Sequence, residues 1–330
     1  MATTTRWGIL APGTIAHHFA DGLQVVPDAE LVAVGSRSIE RAAAFARQYD
    51  IANVHGSYED LVNDPAVDAI YVANPHNYHR DSAVLCLEHG KAVLCEKPFT
   101  VNSSGTQQII EAARKAGVFA MEAMWTRFLP AMQQAKTWIN DGRIGDVRIV
   151  DATFGFRGPW EPEGRLLNPR LAGGALLDVG IYVVSFAFWM TGKSPVSTCS
   201  QAHIGETGVD EQATILFRYD DGALAKLACG IRTQTQHSAA VYGTEGWIEF
   251  PQSFWNGTTA ILHVGDQEER FERPHMANGY EYEAMEVSRC LAAGMTESPV
   301  MPLEETLRIM RTMDFIRGQW GLVYPFEGRT

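Results

Sequence analysis

The strongest constraint on the fold is an alternation of short apolar runs with helical patterns over the first 120 residues. Apolar runs at 7–10, 31–34, 69–73, 92–95 and 118–121 are separated by segments whose apolar residues recur at helical spacing. These runs are apolar throughout, which is typical of strands covered by helices on both faces. Strands that alternate with helices of this length predict βαβ units and a doubly wound parallel sheet, the Rossmann architecture.

After about residue 124 the pattern changes to longer segments with period-two alternation. We predict strands at 147–154, 214–219, 224–229, 239–242 and 247–250, and helices at 130–141, 281–293 and 303–320. Asp220-Asp221-Gly222 predicts a hairpin turn between two of these strands. The predicted organisation is an N-terminal Rossmann domain over 1–123 and a C-terminal open, mostly antiparallel sheet with helices over 124–330.

Composition excludes several classes of protein. The 330 residues carry 27 Lys and Arg against 39 Asp and Glu, a formal net charge of −12. This balance argues against nucleic-acid binding and against attachment to anionic lipid. We see no signal peptide, and no apolar run that approaches the roughly 20 residues of a membrane helix. Five cysteines without a CxxC motif predict reduced thiols and a cytoplasmic protein.

The turn after the first predicted strand resembles a phosphate-binding loop. The dinucleotide fingerprint G-x-G-x-x-G/A requires small residues at three positions, which are Ala11, Gly13 and Ala16 here. Alanine at the first position departs from the pattern, and a plain tight turn is the alternative. The position of the loop at the start of a βαβ series favours dinucleotide binding through Ala11, Gly13, Thr14 and Ile15 at a helix N-terminus.

The end of the second predicted strand indicates which dinucleotide would bind. NAD-binding chains place an acidic residue there for the ribose 2′-hydroxyl, but no acid occurs between residues 31 and 39. Ser36, Arg37 and Ser38 offer hydroxyls and a guanidinium, which suit a 2′-phosphate. We therefore predict NADP, with NAD as the weaker alternative. The competing interpretation is that Arg37 is a solvated loop residue.

Three further motifs complete a recognisable combination. They are 74–79 (Asn-Pro-His-Asn-Tyr-His), 96–98 (Glu-Lys-Pro) and 173–182 (Gly-Gly-Ala-Leu-Leu-Asp-Val-Gly-Ile-Tyr). With the phosphate loop they resemble the Gfo/Idh/MocA oxidoreductase family over nearly the whole chain. Most members have His where this chain has Tyr182. That departure and the segment 124–128 (Met-Trp-Thr-Arg-Phe) are similar to the branch of dimeric trans-dihydrodiol dehydrogenases and NADP-dependent D-xylose 1-dehydrogenases.

The resemblance implies a catalytic role for Lys97 and Tyr182. A tyrosine with a pKa of about 10 is a poor base at neutral pH, but a neighbouring cation stabilises the phenolate. Lys97 would be that cation and Tyr182 the proton shuttle, while Asp178 would orient Lys97 or a substrate hydroxyl. The alternatives are a surface lysine, a core tyrosine in an apolar helix, and an aspartate that only caps the helix after Gly174.

The resemblance also implies that Asn74, Pro75 and His79 border the nicotinamide. Glu96 either holds a structural partner or lines the cofactor site, and the sequence does not choose between these. His76 and His79 have a spacing that a metal pair can use, but we find no third ligand nearby and predict no metal.

Aromatic side chains are frequent near the predicted domain junction. Trp125, Arg127, Phe154 and Trp160 are the candidate substrate contacts, since aromatic faces pack against sugar C–H groups or an arene ring. The alternative is that they belong to a domain-interface core. Because no basic cluster suggests a phosphorylated substrate, we predict a neutral sugar, polyol or cyclic trans-diol.

Together these features predict a cytoplasmic NADP-dependent oxidoreductase that acts on a CH–OH group, and they leave open whether it oxidises that group or reduces the corresponding carbonyl. A sensor or regulator of the same fold that binds NADP without turnover is the alternative, because fold does not determine function. A purely structural protein that binds no cofactor is a third. The resembled family commonly pairs the open sheet of its second domain with another subunit, so we expect a homodimer or larger assembly.

Overall fold

The computed structural model describes residues 4–251 and 253–327. The chain divides into two compact units. The first unit contains the residues up to Trp125 together with His275–Leu307, and the second contains Thr126–Pro274 together with the residues from Arg308 onward. The chain therefore passes between the units three times, whereas the sequence suggested one passage, after residue 123.

The N-terminal part of the first unit alternates strands and helices. Its strands are β1 (Thr5–Leu10), β2 (Ala29–Gly35), β3 (Asn53–His55), β4 (Ala69–Val72), β5 (Ala92–Glu96) and β6 (Ala120–Ala123). Its helices are α1 (Thr14–Leu23), α2 (Ile39–Tyr49), α3 (Tyr58–Val62), α4 (His79–Glu88) and α5 (Ser103–Ala116). The strands pair in parallel in the order β3-β2-β1-β4-β5-β6, which confirms the predicted doubly wound sheet.

Local sequence explains where these helices begin. Ser38 accepts a hydrogen bond from the backbone N–H of Arg41 at the start of α2, and Asn102 accepts one from Gly105 at the start of α5. Such side-chain caps satisfy N–H groups that have no partner within the helix. The helix α5 ends at Gly117, whose left-handed φ of 64° suits glycine.

The second unit is built on an antiparallel sheet. Its elements are α6 (Pro130–Asn140), β7 (Val147–Gly155), α7 (Ile181–Thr191), β8 (Ser197–Ile204), β9 (Asp210–Arg218), β10 (Leu224–Gly230), β11 (Ala239–Gly243), β12 (Gly246–Phe250), β13 (Thr259–Val264) and β14 (Gln267–Glu272). The strand order is β14-β13-β12-β11-β7-β10-β9-β8, and among the described strand pairs of this sheet only β7–β10 is parallel. The mostly antiparallel sheet and the hairpin at residues 220–222 are confirmed.

One face of this sheet is covered and the other is not. Residues along β9 and β10 alternate between buried and exposed, and α7 packs on the buried face. On the opposite face Ile149, Leu224 and Tyr242 are 45%, 50% and 38% exposed. Leu224 and Tyr242 both lie opposite Ile149 on neighbouring strands, so the three side chains form a row across β10, β7 and β11.

The helix α7 requires a correction to the sequence analysis, which saw no apolar run of membrane-spanning length. The segment Pro169–Thr191, which contains a 3-10 turn, a π-helical turn and α7, is long and apolar enough to cross a membrane by length and composition alone. Asp178 and three glycines interrupt the run of apolar residues, so the sequence showed no continuous apolar stretch of this length. Since 94% of its most apolar stretch is buried inside the protein, it behaves as a core helix.

Two helices follow the sheet, as predicted: α8 (Glu281–Ala292) and α9 (Leu303–Trp320). The carboxylate of Glu281 accepts the backbone N–H groups of Ala277, Asn278 and Gly279, which fixes the turn that leads into α8. Leu303 and Leu307 at the start of α9 join the apolar core beneath the parallel sheet. All five cysteines are unpaired.

Candidate active site

The predicted phosphate loop joins β1 to α1. Ala11 adopts a left-handed φ of 70° and donates its N–H to the carbonyl of Gly35. Gly13 is the N-cap residue of α1, and no side chain caps the helix or places an acid in its first turn. A Cβ atom added to Gly13 would approach only the carbonyl oxygen of Ala73, at 4.0 Å. The loop therefore offers an open helix N-terminus, which suits an anionic phosphate group.

The loop after β2 contains the three residues that we predicted to determine specificity for NADP over NAD. Ser36 is buried, and its hydroxyl accepts the N–H of Ser38 at 3.2 Å. The hydroxyl of Ser38 caps α2 and donates to Glu40, so it is already engaged. Arg37 is exposed, with its guanidinium 5.5 Å from the ring centroid of Tyr78.

Arg37 does not stand alone in this loop. Burial raises the pKa of the nearby Tyr58 hydroxyl, while the charges of Arg37 and Arg41 lower it. Two guanidinium groups thus act on the same phenol at the end of β2. The sequence analysis did not single out Arg41, because it reads as an ordinary polar residue of α2.

The loop after β4 is tied to the loop after β5 by one buried histidine. His79 lies at the start of α4, with Nε2 2.7 Å from the carbonyl oxygen of Asn74 and Nδ1 2.8 Å from that of Pro98. A neutral imidazole donates to only one of two carbonyls. Burial lowers the pKa of His79, and Lys97 contributes in the same direction. The amide of Asn74 donates to Ser82, which orients the Asn74-Pro75 turn.

The loop after β5 presents Lys97. Glu96 is buried and accepts the backbone N–H of Lys97 at 3.1 Å, and the Lys97-Pro98 bond is cis. The next N–H, that of Phe99, donates to the buried carboxylate of Glu122 at 3.0 Å. Three consecutive residues are therefore held by buried side chains, and Glu96 has the structural partner that the sequence left open.

The two histidines of the 74–79 motif do not form part of a metal cluster. The rings of His76 and His79 lie 5.7 Å apart, and both nitrogens of His79 face carbonyl oxygens. Over 4–251 and 253–327 no group of three or more His, Cys, Asp or Glu side chains has a metal-binding arrangement.

In the second unit Tyr182 lies in an aromatic cluster. Its ring meets that of Phe154 edge to face at 5.3 Å and that of Trp255 at 6.4 Å, and Phe154 stacks on Trp255 at 4.9 Å. His237 completes the cluster, 4.8 Å from the ring of Phe154. The indole of Trp255 donates to Nδ1 of His237, and Nε2 of His237 lies within hydrogen-bond distance of the carbonyl oxygen of Gly155.

Asp178 and Tyr182 are buried positions of the core helix that keep a small exposed fraction. They keep 5% and 6% exposure, whereas Leu177, Ile181 and Val183 have none. Asp178 lies in a π-helical turn over Leu176–Gly180, a feature that is frequent at functional sites. Its carboxylate accepts a hydrogen bond from Arg165 at 2.7 Å, a partner that the sequence analysis did not name.

The turn that leads into this helix is fixed by Asp210, at the start of β9. Its carboxylate accepts the N–H of Leu176 at 2.6 Å, and burial raises its pKa to about 7. Gly174 has a left-handed φ of 121°, and a Cβ atom there would lie 2.2 Å from the Asp210 carboxylate. The glycine pair of the 173–182 motif is thereby explained by close packing.

The remaining predicted substrate contacts have different surroundings, each described within its own unit. Trp125 belongs to the first unit and stacks on Tyr280 at 4.5 Å. Arg127 is buried in the second unit, where it donates to the hydroxyl of Ser185 and lies over the ring of Trp189. Trp160 is 47% exposed, and the guanidinium of Arg232 lies 5.3 Å from the centroid of its ring. Only Phe154 of the four shares a cluster with Tyr182.

Sequence reasoning missed His237 and Trp255. Both lie in irregular segments between strands, so no strand or helix periodicity marks them. His237 has a left-handed φ of 54°, which is unusual for a non-glycine residue and is visible only in the structure. Trp255 sits in a short 3-10 turn over Phe254–Asn256.

Comparison with known proteins identifies relatives of both parts of the chain. Residues 5–124 match the model of the oxidoreductase family with an NAD-binding Rossmann fold, and residues 132–249 match the Gfo/Idh/MocA C-terminal domain. A trans-1,2-dihydrobenzene-1,2-diol dehydrogenase from Xenopus laevis is 39% identical over 332 residues, with 97% of this chain and 99% of the relative covered.

Solved structures show the same fold. An aldose-aldose oxidoreductase from Caulobacter crescentus, complexed with glycerol, superposes with a TM-score of 0.88 at 25% identity and covers 99% of this chain and 98% of its own. A levoglucosan dehydrogenase in complex with NADH and levoglucosan gives a TM-score of 0.88 at 19% identity, covering 97% and 98%. Family models and a relative at 39% identity span nearly the whole chain, so this protein belongs to the Gfo/Idh/MocA oxidoreductase family.

Proposed function

We propose that this protein is an NADP-dependent oxidoreductase that transfers a hydride between the cofactor and a neutral sugar or cyclic trans-diol. The full-length relative acts, by its name, on a trans-dihydrodiol, and the structural neighbours are named for aldoses and levoglucosan. The observation that carries the proposal is Tyr182, a phenol on the core helix that keeps 6% exposure and lies within an aromatic cluster. Both oxidation and reduction are compatible with this chemistry.

The residues of the first unit fit a nicotinamide dinucleotide. The open N-terminus of α1 would hold the pyrophosphate, and the space beside Gly13 allows a group to approach the backbone. Asn74, Pro75, His79 and Glu96 would support the nicotinamide end, because they shape the loops after β4 and β5. When bound, the nicotinamide supplies the hydride acceptor or donor.

Tyr182 and Lys97 would handle the proton. In our proposal the Tyr182 hydroxyl takes the proton of the substrate hydroxyl during oxidation and returns it during reduction. The ammonium of Lys97 stabilises the phenolate, as a neighbouring cation does. Asp178 has an ion pair with Arg165, and it would orient Lys97 or a substrate hydroxyl.

The aromatic cluster supports a substrate with C–H or arene faces. Phe154 and Trp255 are stacked within 3° of parallel, and the rings of Tyr182 and His237 lie beside Phe154. Such rings recognise apolar faces, while the few polar groups among them orient hydroxyls. Trp125, Arg127 and Trp160 remain predicted substrate contacts.

We assign NADP as the preferred cofactor. The support is the absence of an acid in the loop after β2 and the presence of Arg37 and Arg41 around Tyr58. Guanidinium groups suit a 2′-phosphate through charge and paired hydrogen bonds. NAD is the weaker alternative.

We also propose a cytoplasmic homodimer or larger homo-oligomer. Five unpaired cysteines, four of them buried, suit a reducing compartment. The row formed by Ile149, Leu224 and Tyr242 is an exposed apolar strip on the uncovered face of the sheet, and such strips often mark subunit contacts.

The decisive experiment measures reduced nicotinamide formation with D-xylose, D-glucose and a cyclic trans-diol for the wild type and for Tyr182→Phe. We expect turnover in the wild type and a fall of kcat by roughly 100-fold or more in the variant, the usual effect of losing an acid–base group. Tyr219→Phe, which removes a buried hydroxyl elsewhere in the same unit, should keep wild-type turnover.

Three outcomes separate the alternatives. Undiminished kcat in Tyr182→Phe would transfer the proton role to Lys97 or Asp178. Tight NADP binding without turnover of any sugar or diol, in either direction, would favour the sensor. If the protein binds neither dinucleotide, the result would favour the third alternative, a structural protein without a cofactor.

A further inference from the structure

Tyr71 is a tyrosine in the middle of a strand where an apolar residue would be expected. It lies in β4, all of whose residues are buried, and it has no exposure. Its ring stacks on Phe19 of α1 at 3.9 Å with an interplanar angle of 9°. A phenylalanine would make the same stack. Because burying a hydroxyl without a hydrogen bond costs free energy, we expect the oxygen of Tyr71 to have a hydrogen-bond partner.

That partner is the carboxylate that also holds Lys97. The Tyr71 hydroxyl donates to Oε1 of Glu96, and Oε2 of the same carboxylate accepts the backbone N–H of Lys97. Both Tyr71 and Glu96 are buried. One carboxylate is thus shared between a hydroxyl from β4 and the N–H immediately before the Lys97-Pro98 bond.

The charge of this carboxylate is supported by its neighbours. Glu283 of α8 is fully buried, and neither of its carboxyl oxygens has a hydrogen-bond partner among the described residues. Burial, with Glu96 as a second cause, raises the pKa of Glu283 well above its usual value, which favours the neutral form of Glu283. Glu96 keeps the hydrogen-bond donors and is the carboxyl of the two that is suited to carry the charge.

We propose that Tyr71 and Glu96 are positioning residues for Lys97. The Tyr71 hydroxyl holds the Glu96 carboxylate in place, and the carboxylate fixes the backbone from which the Lys97 side chain extends. Tyr71 touches neither substrate nor cofactor and acts only through Glu96. The inference rests on the role of Lys97 in the proposed function and adds the two hydrogen bonds that position this side chain.

The test is Tyr71→Phe, which keeps the ring and removes one oxygen. We expect kcat for sugar or diol oxidation to fall roughly tenfold, the effect of one lost charge-assisted hydrogen bond, while the Kd for NADP changes less than about twofold. The loss should fall on kcat, while KM for the sugar or diol changes less than about twofold, because the substrate still binds when Lys97 is misplaced. Glu96→Gln, which has no charge, should show the same loss of kcat.

The matched control is Tyr49→Phe. Its hydroxyl also donates to a carboxylate in the first unit, that of Asp21, but lies between α1 and α2. Wild-type kcat and KM are expected there. A Tyr71→Phe protein that melts earlier but keeps the wild-type kcat would show that the pair is only structural and would overturn the proposal.

A second background separates this proposal from the proposed function. Lys97→Ala should lower kcat, and adding Tyr71→Phe to it should cause no further loss, since Tyr71 acts through Lys97. If Lys97→Ala keeps full activity, the assigned role of Lys97 is wrong. If Lys97→Ala is impaired and Tyr71→Phe lowers kcat equally in both backgrounds, Tyr71 does not act through Lys97.

Discussion

Ala11 shows how a single residue can depart from a motif without abolishing it. The first position of the fingerprint normally has glycine, and the structure explains why, since the φ of Ala11 is 70°. A left-handed alanine costs roughly 1 kcal/mol, which a domain of this size tolerates. Gly13 is different. Its φ of −93° suits any residue, so its value lies in the space that a missing side chain leaves.

Arg37 carries the residue-scale prediction about cofactor choice. Arg37→Glu should lower the ratio of NADP to NAD catalytic efficiency at least tenfold, because a carboxylate repels a 2′-phosphate and accepts a ribose hydroxyl instead. Steady-state kinetics with both dinucleotides measure this ratio. Arg47→Glu, near the other end of α2, is the control and should leave it unchanged. An unchanged ratio in Arg37→Glu itself would remove Arg37 from cofactor selection.

At this scale the sequence predicted residues that carry motifs and missed residues that support them. Glu96 and Asp178 stand in recognisable strings, whereas Tyr71 lies in the string Ala-Ile-Tyr-Val-Ala, which reads as an ordinary buried strand. The partner of Asp178, Arg165, is 13 positions away in an irregular segment. Pairings of this kind depend on tertiary packing and leave no local pattern.

The element that most depends on charge is the turn leading into α7. Asp210 holds the N–H of Leu176, and its pKa is raised by burial from 3.8 to about 7. Between these two pH values the folded protein keeps a proton that the unfolded chain has lost. The contribution of Asp210 to the free energy of unfolding therefore falls as pH rises from about 4 to 7, by up to about 4 kcal/mol, and is constant above that.

Asp210→Asn tests this expectation, because an amide oxygen still accepts the Leu176 N–H but does not titrate. Denaturant unfolding at pH 5 and pH 8 should show the stability of the wild type relative to the variant decreasing by a few kcal/mol. Other titrating groups are common to both proteins and cancel. Asp266→Asn, an exposed carboxyl between β13 and β14, should show no such change. A pH-independent difference for Asp210→Asn would contradict the assigned shift.

Several elements with strong patterns were predicted, whereas the strands β3, β8, β13 and β14 were missed. β4, β5 and α9 were found within a residue or two, because apolar runs and helical spacing are unambiguous there. β3 has three residues and no apolar run, and β14 reads Gln-Glu-Glu-Arg-Phe-Glu. Such strands form because neighbouring strands offer hydrogen bonds, a tertiary effect that overrides local preference.

At the scale of the whole molecule, the uncovered face of the antiparallel sheet carries the prediction about assembly. Leu224→Glu places a charge within the row of Ile149, Leu224 and Tyr242, and a buried unpaired charge opposes association. Light scattering should give a dimer or larger species for the wild type and the monomer mass of 36.4 kDa for the variant.

Val323→Glu serves as the control for this substitution. Val323 is an exposed apolar residue outside the sheet, so its replacement should leave the assembly intact. A wild-type protein that is monomeric at micromolar concentration would contradict the proposed oligomer. An oligomer that persists in Leu224→Glu would move the interface to another surface.

The return of the chain to the first unit has a consequence for biosynthesis. All strands of the parallel sheet have been synthesised once translation reaches Trp125. The helix α8, which carries Glu281 and Glu283, and the leucines of α9 follow more than 150 residues later. At 5–20 residues per second a ribosome needs roughly 10 to 40 s to span that gap. The nascent sheet must wait through this interval with part of its core uncovered. During this interval the exposed apolar core is available to a chaperone that binds nascent chains. If translation stops between the two segments, the parallel sheet remains without α8 and the leucines of α9.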